Sequence, residues 1–178
     1  MQPTVRHAVL GGLLLHALAT SVVSAQASTA QPPKPAPTAA RLTKGDLARL
    51  RWIVGDWRGT GVDGTAQAPF YERYRFANDS TLLVESFDDS TWRAPNETTR
   101  YELRAGRFGN ASTGASWVAV GVDSLGVDFA PVARARNTFR WGRAAGAGRR
   151  PAQWRATIAW TETNGARQQR HYRMERVR

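Results

Sequence analysis

Three features of the sequence predict an all-β fold: an antiparallel up-and-down β-barrel of about nine strands with a short N-terminal helix. From residue 56 onward, short stretches rich in aromatic and β-branched residues follow one another. Clusters of turn-forming residues separate them, among them VDGT, ANDS, AGRFGN, DSLG, AGAGRRP and TNGA. Helical spacing is confined to one segment ahead of the strands. A run of short strands on short connections suits a sandwich or a barrel, and a closed barrel leaves no exposed edge.

The helix comes first. Thr43 is placed to cap it, Asp46 stands where a capping box needs an acceptor, and Leu42 can staple onto Leu47. Leu47, Leu50 and Ile53 then recur at helical spacing, and Gly55 is placed to stop the turn. Strands follow near 56–62, 69–77, 81–88, 97–104, 116–122, 126–130, 137–142, 153–162 and 168–177. Period-two alternation sorts their faces. Trp154, Ala156, Ile158 and Trp160 form one apolar face, Phe139 and Trp141 share another, and Trp117 opposes a valine stripe of Val118, Val120 and Val122.

What precedes the helix reads as an address. Arg6 and His7 lead an apolar run that ends in SAQA, so residues 1–27 are predicted to be a signal peptide cleaved after Ala25 or Ala27. Residues 28–41, STAQPPKPAPTAAR, are a Pro/Ala-rich linker too poor in large apolar groups to fold alone. Residues 42–178 form the one predicted domain. The expected location is exported, periplasmic or secreted, with no membrane span after cleavage. The chain has no cysteine, so the core alone must hold it.

The motif GDWRGTG, residues 55–61, resembles the glycine-x-tryptophan signature of the calycin superfamily, the lipocalin-like β-barrels. The resemblance covers this front motif, the strand count and the last strand. It implies a barrel whose floor is closed by Gly55, Trp57 and an arginine of the last strand stacked on that ring; Arg176 in HYRMERVR matches the position. A variant of the resemblance, to nitrobindin-like haem proteins, implies an iron-ligating histidine in the last strand, where His171 stands. The hairpin ETNGAR decides that point. A two-residue turn at Asn164 and Gly165 sets His171 opposite Ile158, inside; a three-residue loop with a Gly165 bulge sets Tyr172 and Met174 inside and His171 outside. Burial of the larger apolar set favours the second register.

Catalytic signals are few. His171 is the one histidine after the leader, and no nucleophile elbow, phosphate loop or dinucleotide glycine pattern occurs, so no enzymatic activity is expected. The seven tryptophans either fill the core or line a cavity for a small apolar or amphipathic molecule. The candidate ligand-binding set is Glu72, Tyr74, Trp117, Trp141 and Trp160. Glu72 alternates in phase with Phe70, Tyr74 and Phe76, so it points inward, either as a polar contact or neutralised by an arginine such as Arg100.

Net charge is +11, unevenly spread: residues 46–130 hold nine arginines and twelve acids, residues 131–178 twelve arginines and two acids. The arginine-rich third either coats the solvent side of strands or meets an acidic envelope surface. No specific nucleic-acid partner is expected, because no recognised binding motif accompanies the charge.

Overall fold

The computed structural model describes residues 38–62, 68–110, 112, 114–145 and 147–177. The predicted signal peptide and all but the last four residues of the linker lie outside them. The chain opens with a short helix α1 (Lys44–Ala48), and a 3₁₀ turn (Arg49–Ile53) continues it. Ten strands follow: β1 (Gly55–Gly61), β2 (Phe70–Asn78), β3 (Thr81–Phe87), β4 (Glu97–Arg104), β5 (Arg107–Asn110), β6 (Ser116–Val122), β7 (Gly126–Ala133), β8 (Asn137–Gly142), β9 (Gln153–Thr161) and β10 (Arg167–Arg176). Each pairs antiparallel with the next, and β1 pairs antiparallel with β10 to close the barrel.

The sequence predicts about nine strands, and the tenth lies inside AGRFGN. Ala105 and Gly106, both at positive φ, make a tight turn there, and Arg107–Asn110 returns along β4. Phe108 is its one large apolar residue, too little for alternation to register. Parity explains why the strand is required: an up-and-down meander brings its last strand antiparallel to its first only when the strand number is even.

Local signals at the N-terminus act as their chemistry dictates. The Thr43 side chain accepts from the Asp46 backbone N–H, and the Asp46 carboxylate accepts from Thr43 N–H at 2.9 Å, which makes a capping box. Leu42, Leu47, Leu50 and Ile53 are buried in the core. The backbone N–H of Ala40 donates to Ala119 and that of Leu42 to Gly106, so the barrel ties the chain down from residue 40. Gly59 is needed for contact rather than conformation: a Cβ there would lie 2.1 Å from the Phe70 ring.

Register fixes which side chains face inward. Tyr172 stands opposite Ala156 and Met174 opposite Trp154, and all four are core residues, so the β9–β10 hairpin takes the three-residue loop. Glu162 N–H donates to Ala166 O, and Gly165 occupies the left-handed region at φ 84°. The valine stripe expected on β6 is not one face. Irregularities between Ser116 and Trp117 and between Ala119 and Gly121 shift the phase. Trp117, Ala119 and Val122 turn to the core side, while Val118, opposite Ala130, lies outside the core cluster.

Candidate functional site

The floor of the barrel is solid. Trp57 is fully buried, donates its indole N–H to Ile53 O at 2.6 Å, and carries the Arg176 guanidinium 4.2 Å above its ring centroid. Arg176 also donates to the carbonyls of Pro151, Val54 and Trp52, lashing the 3₁₀ turn to β10. Gly55, at φ 142°, starts β1 directly after that turn. Trp154 meets Trp52 and Trp57 edge to face, each at 5.9 Å. Above them Tyr74, Tyr101, Phe129, Phe139 and Trp141 interlock, Phe129 and Phe139 stacked at 4.4 Å.

The opposite end differs. Ser86 and Glu97 near the ends of β3 and β4, Ile158 and Trp160 on β9, and Arg170 on β10 face inward by alternation, yet none is fully buried. These positions outline a solvent-reached mouth. Glu72 stands at its base. The pairing Trp57, Glu72, Ser86, Glu97 runs across β1 to β4, so both carboxyls lie on the inner wall with a serine between them.

Glu72 is 1% exposed. Its Oε2 accepts from the Tyr74 hydroxyl at 2.6 Å, and its Oε1 has no hydrogen-bond partner among the described residues. Burial lifts its pKa to about 7; the Tyr74 hydrogen bond opposes the rise and the Glu97 charge adds to it. Burial is also the main reason the Tyr74 and Tyr101 hydroxyls are pushed up, so both keep their protons. Arg100, weighed above as a neutralising partner, faces the other way: it stands opposite Leu83 and pairs with Glu102.

The candidate ligand-binding residues therefore separate by height. Tyr74 and Trp141 pack within the aromatic layer, where Tyr74 holds Glu72. Trp117 is nearly buried against Phe139 and donates its indole N–H to Asn137 O at 2.8 Å. Trp160, paired with Asn137 across β8, is half-buried at the rim. Glu97 was not singled out in the sequence, although its alternation with Thr99 and Tyr101 carries the same inward signal that marks Glu72.

His171 stands opposite Thr157 on the outer face, its Nδ1 3.0 Å from the threonine hydroxyl. A haem inside the barrel would have no ligand from it. Among the described residues no group of three or more histidine, cysteine or acidic side chains is placed to hold a metal ion. A depression on the barrel wall is lined by the outward-facing Asp128, Thr138, Arg140 and Thr157 and also touches the core residues Phe129 and Phe139. No protein-family model matches the chain, and no curated protein matches it.

Proposed function

We propose that this protein is an exported, calycin-like binding barrel that takes a small amphipathic molecule into its mouth and performs no chemistry on it. One observation carries the reading: a fully buried carboxyl, Glu72, with one oxygen unpartnered among the described residues, lies between the aromatic floor and a ring of inward-facing side chains that are only partly buried. A buried polar atom without a partner costs roughly 1–3 kcal/mol, more when charged, and a ligand's donor group at Oε1 would recover it. Trp117, Trp160, Ile158 and Phe139 supply apolar walls for the rest of the molecule. The front motif and the antiparallel closure support the calycin-like assignment, and the N-terminal sequence supports export.

Tryptophan fluorescence tests the reading directly. Saturable quenching by at least one class of small amphipathic molecule, weakened several-fold in Trp160→Ala, is the expected result. A panel of alcohols, amines, fatty acids and aromatic compounds that gives no saturable change would overturn it.

A further inference from the structure

The wall of the barrel treats its carboxylates in two ways. On the outer face every strand carboxylate in the described residues has an arginine: Asp56 has Arg73, Glu85 has Arg75, Glu102 has Arg100 and Arg104, Asp128 has Arg140, and Glu175 has Arg58 and Arg173. On the inner face Glu72 and Glu97 have none among the described residues. Glu72 holds the Tyr74 hydroxyl, and Glu97 receives a long hydrogen bond from Thr99 at 3.5 Å. The chain has 25 basic residues, so supply does not explain the gap. Two inward-facing carboxyls, on β2 and β4 either side of Ser86 on β3, one of them buried with an oxygen unpartnered among the described residues, make an acidic recess without a cation of its own.

Resting on the binding role proposed above, the geometry points to a protonated amine as the polar end of the ligand, seated against Glu72 and Glu97 with an apolar tail toward Trp117 and Trp160. An ammonium group brings three donors, enough to satisfy Oε1 of Glu72 and to reach Glu97 and Ser86. Arg170 does not fill this role. It projects from β10 beyond Tyr172, on the mouth side of the edge contact between Tyr172 and Phe70 at 5.4 Å, whereas Glu72 lies on the floor side of Phe70.

Protons enter the equilibrium. The titratable or charged groups facing Glu72 on the inner wall are Tyr74 on β2, Glu97 and Tyr101 on β4, and Tyr172 and Arg170 on β10; β1 and β3 present Trp57 and Ser86. Tyr74 and Tyr101 stay protonated, so Glu72 is the group that must ionise. With its pKa near 7, an ammonium ligand binds with release of the Glu72 proton below that pH. Affinity then falls up to about tenfold for each pH unit below 7 and levels off above it.

Octylamine, octanol and octanoate share one tail and separate the possibilities. Titrated into the full chain by fluorescence and calorimetry between pH 5.5 and 8.5, octylamine is expected to bind at least tenfold tighter than octanol at pH 8, with the advantage shrinking toward pH 5.5. Glu72→Gln should erase the preference and its pH dependence while leaving octanol binding in place. Glu97→Gln, at a half-exposed position, provides a second variant and should weaken octylamine several-fold. Equal binding of octylamine and octanol, or a preference for octanoate, would overturn the amine and leave the binding role standing. Failure of all three to bind would remove both.

Discussion

Strand β9 carries two inward-facing tryptophans six residues apart, and they meet opposite surroundings. Trp154, at the floor, is 3% exposed and touches the rings of Trp52, Trp57, Tyr74 and Trp141. Trp160, at the mouth, is half-buried and faces the end of β8 at Asn137. Residue type and strand are the same, so the difference comes from what stoppers each end. The floor has α1, the 3₁₀ turn and Arg176 folded across it, which is what lets rings fill the cylinder completely. In this barrel the buried aromatic packing and the closing contacts are concentrated at one end.

The largest effect should come from the floor. Trp57→Ala removes a fully buried ring, an indole hydrogen bond and the platform under Arg176. A loss of about 4 kcal/mol is expected, close to the whole stability of many domains. Urea unfolding measures it. A loss under about 1 kcal/mol would mean that the floor does not hold the barrel shut, and the contrast between the two ends would collapse.

Next in size is the carboxyl at the boundary between the halves. The folded pKa of Glu72 is raised, from an ordinary 4.5 to about 7. Below pH 4.5 the acid is protonated in both states and its contribution is fully present. As pH rises from 4.5 to 7 the unfolded chain releases the proton first, so stability is lost, by on the order of 3 kcal/mol, and then levels. Outer-wall and loop acids behave in the reverse sense: hydrogen bonds from Arg100 to Glu102 and from Lys44 to Asp79 pull those carboxyls down, so their contribution is lost only as pH falls. Glu72→Gln should therefore be more stable than the parent at pH 8 and no better at pH 4.5. A parent protein whose unfolding midpoint ignores pH between 5 and 8 would show that the base of the mouth is wetter than its burial implies.

Much of this division was legible in the sequence. The closing elements stand out because each has a local cause: Thr43 with Asp46 for the cap, Gly55 and Trp57 for the entry into β1, and a hairpin whose register follows from burying Tyr172 and Met174. Other features depend on long-range geometry. The β6 irregularity between Ala119 and Gly121, past which Val122 joins Trp117 on the core side, leaves no mark in the valine spacing. Phe108 is surrounded by Arg107, Gly109 and Asn110, so β5 has no pattern of its own and exists because the barrel needs an even count. Strand phase marks Glu72 and Glu97 as inward one at a time, but only the register of three strands brings Glu97 beside Ser86 and Ser86 beside Glu72.

The smallest stability effect is expected from the residue that most sharpens the comparison. Trp160→Ala removes a partly exposed ring that makes no aromatic contact among the described residues, unlike Trp154, so about 1 kcal/mol or less should be lost. Its effect on ligand affinity should be larger than its effect on folding, because a rim ring gains its buried surface only when a ligand covers it. Measuring both on one preparation separates the roles. A Trp160→Ala protein as destabilised as Trp57→Ala would show that the mouth is a second floor, held together by the same packing and closed to any guest.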